Sequence, residues 1–155
     1  MKDLKEIVEL LIQWFRENKR DLPWRQTKDP YAVWVSEIML QQTRVEAVKP
    51  YYIRFLQTLP TVKDLANADE EVILKLWEGL GYYSRVRNMQ KAAIQIMEDF
   101  GGVFPANQKD LLSLKGIGSY TAGAVGSIAF GLPIVDGYVP AMKAVSRRTA
   151  VHSGN

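Results

Sequence analysis

At 155 residues the chain has the length of one domain with room for a sizeable core, and its 47% apolar and 24% charged residues are those of a globular protein. The absence of cysteine excludes disulfides, thiolate zinc sites and cysteine-ligated iron–sulfur clusters, and a single histidine, His152, argues against Ser-His or Cys-His nucleophiles. The net charge is +3, yet residues 1–136 carry equal numbers of acidic and basic side chains; Lys143, Arg147 and Arg148 make the excess, so local patches must carry any case for nucleic acid. No apolar run approaches the ~18 residues of a membrane span. The N-terminus reads as a charged amphipathic helix rather than a leader, so a cytosolic or nucleoid-associated protein is expected.

Nearly every segment reads as helix. Leu4, Ile7, Val8, Leu11, Trp14 and Phe15 form an apolar stripe at helical spacing. A loop containing Trp24 follows from Asn18 to Pro30. Asp29 before Pro30 predicts a helix start, with the helix running over 31–42. Thr43 is expected to cap the next helix, which carries Pro50 and ends at Pro60. Thr61 and Asp69 read as N-caps of short helices, and Gly79-Leu80-Gly81 stops the second. A helix over 84–100 is closed by Gly101-Gly102. A short helix then leads into Leu114-Lys115-Gly116-Ile117-Gly118, and a longer one runs to Phe130. No period-2 strand is visible, which predicts an all-α fold in a single domain over 1–155, with a helix-hairpin-helix unit at about 108–130.

The Gly116–Gly118 hairpin aims at the start of a helix. Both glycines can take positive φ and let another backbone come close. With Lys115, Ser119 and the free N–H groups of the following helix, this suits one phosphate of a nucleic acid strand; two ordinary caps around a tight turn is the bland alternative. Glu37 sits in the apolar run Val33-Trp34-Val35-Ser36-Glu37-Ile38-Met39-Leu40. Desolvation there would raise its pKa and make it a proton donor near neutrality, whereas a solvent-facing Glu on a core helix would do no chemistry. Gln41-Gln42-Thr43 either ends that helix or probes a base stack. Gly79-Leu80-Gly81-Tyr82-Tyr83-Ser84-Arg85-Val86-Arg87 joins a turn to aromatics that can stack on bases and arginines that can contact phosphates; a helix stop beside a solvated basic face reads equally well. Asp136, as an N-cap, would stay ionised. A proton-donating carboxyl and an ionised one together are what glycosidic cleavage needs.

Taken in order, Val35 to Thr43, Trp77-Glu78-Gly79-Leu80-Gly81-Tyr82-Tyr83, the Gly116 hairpin and Val135-Asp136-Gly137 resemble adenine DNA glycosylases of the MutY type. These belong to the helix-hairpin-helix–Gly/Pro/Asp superfamily, and the resemblance covers roughly residues 10–137. It implies base excision repair, with removal of adenine mispaired with 8-oxoguanine or guanine from double-stranded DNA in a bacterial cytoplasm. By the same resemblance Glu37 would protonate adenine at N7 and Asp136 would stabilise the cationic sugar. Tyr120 stands where bifunctional relatives carry a Schiff-base lysine, which implies a monofunctional glycosylase. Trp24, Arg25 and Leu40 would belong to the adenine pocket. Gln41, Gln42, Thr43, Leu80, Gly81, Tyr82, Arg85, Arg87, Lys115, Gly116, Gly118 and Ser119 would face DNA. No metal ligand set is implied; some members hold a monovalent cation at hairpin carbonyls equivalent to 114–118.

The chain departs from the family pattern in three ways. Tyr138 replaces the usual asparagine beside the sugar. The stretch from Tyr138 to Arg148 is lengthened and includes Pro140. Family members continue with further helices, a four-cysteine iron–sulfur module and often a domain that reads 8-oxoguanine. The expected architecture is therefore the six-helix barrel domain of the helix-hairpin-helix glycosylase fold without the C-terminal helices or cluster. An inactive or impaired DNA-binding fragment is the alternative function. Without those helices the apolar faces of 4–15 and 31–40 are expected to lie uncovered and to drive self-association.

Overall fold

The computed structural model describes residues 4–10, 23–25, 27–41 and 43–133. Among them no strand occurs. Helix α1 covers residues 4–10, and Trp24 lies in a 3-10 turn, Pro23–Arg25. There follow α2 (Pro30–Leu40), α3 (Val45–Thr58), α4 (Val62–Asn67), α5 (Glu70–Trp77), α6 (Ser84–Asp99), α7 (Gln108–Leu112) and α8 (Ser119–Phe130).

The helix starts follow local chemistry. The Asp29 carboxylate accepts the Tyr31 backbone N–H at 3.2 Å, and Pro30 occupies the first turn, where its missing donor costs nothing. Thr61 and Asp64 form a reciprocal capping box at the head of α4. Asp69 is the N-cap of α5 by position, without a side-chain bond. Thr43 does not cap α3, contrary to expectation. It remains in the turn that closes α2, its N–H reaching the Leu40 carbonyl at 3.5 Å, and Arg44 takes the N-cap position without a side-chain bond.

Two helices form the middle of the molecule. Every residue from Tyr31 to Met39 of α2 is buried, as is every residue from Thr121 to Gly126 of α8. A helix apolar on all sides must be covered on all sides, and α2 packs against α8, α3 and the 3-10 turn. Ala122, Gly123, Ala124 and Gly126 keep α8 slim where it meets its neighbours. Trp34 sits fully buried, edge-on to Tyr31 and Phe104 at ring separations of 6.3 and 5.5 Å. Phe55 of α3 meets Trp77 of α5 in the same manner at 6.2 Å. The outer helices lock through α4 against α6, where the Gln90 amide donates to the Ala68 carbonyl at 2.7 Å.

The expected uncovered face of residues 31–40 is therefore absent, because α3 and α8 wrap α2 from within the chain. The stripe on α1 is different: its members Leu4 and Ile7 are 77% and 44% exposed.

Candidate functional site

The two central helices carry the buried polar side chains of the described core: Ser36 and Glu37 on α2 and Thr121 on α8. The Ser36 hydroxyl is satisfied by the Val33 carbonyl at 2.7 Å. Glu37 is 9% exposed. One turn further along α2, the Gln41 side-chain amide donates to the Thr121 hydroxyl at 3.2 Å. Thr121 follows Tyr120, so this cross-link fixes the end of α2 beyond Glu37 to the first turn of α8, which carries half-buried Tyr120. Thr121 was not among the residues singled out from sequence, although a hydroxyl flanked by Tyr120 and an Ala/Gly run was a readable signal.

The hairpin before α8 rests on two apolar feet, Leu114 and Ile117, both buried. The Ile117 N–H closes the turn on the Leu114 carbonyl at 3.1 Å. Gly116 takes φ +76°, and a Cβ there would lie 2.9 Å from Asn88 Cβ. Gly118 departs from the expected positive φ. It is the N-cap of α8 at φ −94° and ψ −176°, an extended conformation open to any residue, and a Cβ there would meet nothing within 4 Å. Lys115, Gly116, Gly118 and Ser119 are all exposed. Sequence reading missed Gln95 of α6, which grips the hairpin twice. Its side-chain carbonyl accepts the Lys115 N–H at 2.7 Å and its amide donates to the Ser113 carbonyl at 3.2 Å. A lone glutamine on a helix gives no sequence signal of such a role.

The third element is the loop between α5 and α6. Gly79 has φ +98°, and a Cβ there would strike the Tyr51 hydroxyl at 2.1 Å. Tyr82 is the described non-glycine residue with positive φ, at +49°, and it is 62% exposed. Leu80 is buried in the core cluster. The Arg85 guanidinium turns inward onto backbone carbonyls of this loop and of α2. Arg87 reaches the exposed Glu70 carboxylate at 3.3 Å, an arrangement worth little in water.

Helices α2 and α6 and the hairpin converge around a cavity of about 190 Å³ lined by Trp34 and Ile38 of α2, Gln41 at its C-terminal end, Arg85 and Asn88 of α6, and Lys115 and Gly116 of the hairpin. Glu37 does not line it. Trp24 is buried edge-on to Tyr52 at 5.4 Å, and Leu40 packs partly buried against the core. Thr43 lies half-buried in the turn after α2. Asp136, Gln42, Tyr138 and the segment 138–148 lie outside the described residues, as does the Arg25 side chain. No group of three or more potential metal-ligating side chains occurs among the described residues, and none of the described helices is long and apolar enough to cross a membrane.

Comparison with known proteins places this arrangement in context. Residues 35–152 match the family model of the HhH-GPD superfamily base excision DNA repair proteins. The adenine DNA glycosylase of Rattus norvegicus is 48% identical over 140 residues, an alignment that covers 83% of this chain and 27% of that protein. The chain thus spans about a quarter of the length of that relative. A thermostable thymine-DNA glycosylase superimposes with a TM-score of 0.70 at 33% identity, over 82% of this chain and 59% of the other. Endonuclease III in a non-covalent DNA complex superimposes with a TM-score of 0.65 at 21% identity, over 92% of this chain and 68% of the other, a likeness of fold.

Proposed function

We propose that this chain, which belongs to the HhH-GPD superfamily of base excision DNA repair proteins, hydrolyses the N-glycosidic bond of adenine mispaired with 8-oxoguanine or guanine in duplex DNA. The observation that carries the reading is the placement of Glu37. It is a buried carboxyl on a core helix whose end is cross-linked to the helix that follows an exposed glycine hairpin. The relatives named adenine DNA glycosylases support adenine as the base.

The chemistry assigns each group one task. The adenosine is flipped out of the stack, because its bond to the sugar is otherwise out of reach. Glu37 gives its proton to N7. The C1′–N9 bond then breaks, with its electron pair going to the departing base. The sugar becomes cationic and the carboxylate of Asp136 offsets that charge. Water adds at C1′ and loses a proton, leaving an abasic site. Tyr120 offers no amine for an imine, so the product is hydrolysed sugar rather than a cleaved strand. Gly116, Gly118, Lys115 and Ser119 hold a strand phosphate on the free N–H groups at the start of α8; a monovalent cation, if held by residues 114–118, would add positive charge beside that phosphate. Gln42 and Tyr82 belong to the part that enters the stack, while Leu80, buried in the core cluster, supports the loop from within. Trp24, Arg25 and Leu40 belong to the base pocket. A cysteine-ligated iron–sulfur cluster finds no ligands in this chain, which contains no cysteine, and no step depends on one.

A single-turnover assay for free adenine tests the reading with A opposite 8-oxoguanine, A opposite guanine and A opposite thymine. Release from the first two and not the third is expected. Duplex binding without any release would overturn it in favour of a DNA-binding fragment.

The exposed Leu4 and Ile7 of α1 support self-association through that stripe. Sedimentation is expected to show a concentration-dependent dimer, reduced to monomer by Leu4→Glu with Ile7→Glu. A wild-type chain that stays monomeric at high concentration would remove the proposal.

A further inference from the structure

We propose that Arg85 is a positioning residue that locks the 79–82 loop to the C-terminal end of α2, so that exposed Tyr82 and the helix bearing Glu37 keep one fixed relation. The inference deepens the glycosylase reading and rests on it for its consequence in DNA recognition.

Four backbone carbonyls surround one guanidinium. Nη1 donates to the Ile38 carbonyl at 2.7 Å and to the Gln41 carbonyl. Nη2 donates to the Leu80 and Gly81 carbonyls at 3.3 and 3.4 Å. The first two lie at the C-terminal end of α2, where the Ile38 carbonyl also accepts the Gln41 N–H at 3.3 Å and the partial negative charge of the helix end favours a cation. The second two belong to the loop. A planar fork can address both segments at once, whereas an ammonium is a point charge with rotating donors.

The loop needs such a brace. Tyr82 holds a left-handed backbone conformation that costs a non-glycine residue energy unless its surroundings impose it. Its carbonyl accepts the Arg85 N–H at 2.9 Å. The Arg85 guanidinium lies 5.6 Å from the Tyr82 ring and 5.3 Å from the Trp77 ring. The Trp77 indole N–H donates to the Gly81 carbonyl at 3.0 Å, closing the set. Both terminal nitrogens of Arg85 therefore bond inside the protein, while its buried Nε makes no hydrogen bond, and the sequence expectation of a phosphate contact gives way to an internal one.

The test compares Arg85→Lys with Lys91→Arg, a substitution at an exposed position on the same helix. Amide hydrogen exchange of the free protein is read first. Arg85→Lys is expected to speed exchange in residues 78–83 and 39–43 on the order of tenfold, as loss of about one charge-assisted bond gives, with residues 113–118 unchanged. Fluorescence of 2-aminopurine beside an A:8-oxoguanine pair is read second. The enhancement on binding and the preference for the mispaired duplex are expected to fall on the order of tenfold, while affinity for matched duplex stays within about twofold. Lys91→Arg leaves all these readouts in place. Unchanged exchange at both segments overturns the proposal, as does an equal loss of matched and mispaired affinity, which is the mark of a phosphate contact. Wild-type protein without any mispair preference would sink the glycosylase reading, and the exchange measurement would still decide the positioning role. Should Arg85→Lys fail to fold, wild-type exchange suffices: the two segments must open with one common free energy, and distinct values overturn the proposal.

Discussion

Glu37→Gln is expected to lower single-turnover adenine release by about a thousandfold, within the range that a positioned general acid contributes, while duplex affinity changes by less than about threefold. The substitution keeps shape and volume and removes only the transferable proton. Glu37 is 9% exposed and lies on α2, whereas the exposed groups suited to phosphate are on the hairpin, so affinity has no reason to follow rate. Glu37→Ala is the companion. It also removes the proton but leaves a void between core helices, and it is expected to add a stability loss that Glu37→Gln does not show. Release by Glu37→Gln at the wild-type rate would place the acid elsewhere. Parallel loss of rate and affinity would make Glu37 a structural residue.

Much of this architecture could be read from the chain because its signals are local. Asp29-Pro30 sets the start of α2 by satisfying one backbone donor and removing another. Thr61 and Asp64 set the start of α4 by a reciprocal pair three residues apart. What could not be read depends on residues distant in sequence meeting in space. The apolar run of α2 says that the helix is buried but not by what, and here α3 and α8 supply the cover. Arg85 has the same local neighbours whether its fork faces phosphates or carbonyls. Its answer comes from Ile38 and Gln41, 47 and 44 residues away. Gln95 reaches its hairpin partners 18 and 20 residues on, with nothing in its own segment to announce it. Gly116 and Gly118 look alike as letters and differ in space, because one turns the chain and the other begins a helix.

That difference yields the second large effect. Gly116→Ala is expected to destabilise the fold by about 2 kcal/mol or more, through a left-handed backbone that alanine adopts at a cost and through a contact with Asn88 that must give way. The neighbour is Asn88 Cβ, which is tied to the α6 backbone and cannot swing aside as the end of a flexible side chain would. Gly118→Ala is expected to leave stability within about 0.5 kcal/mol, since its backbone is extended and its methyl would point into open space. On the proposed reading, that open space is where a DNA strand comes close to the first N–H groups of α8. A methyl there holds the phosphate off, so duplex affinity is expected to fall at least about tenfold, equivalent to about 1.4 kcal/mol. The salt dependence should flatten as phosphate contacts are lost. Urea unfolding separates the first effect and fluorescence anisotropy across a salt series the second. If Gly118→Ala bound DNA as wild type does, glycine at 118 would have no role in strand approach and the phosphate would have to sit elsewhere. If it lost stability as Gly116→Ala does, the glycine would serve the fold instead. Loss of binding in a fully stable variant is the outcome that only a strand-facing hairpin gives.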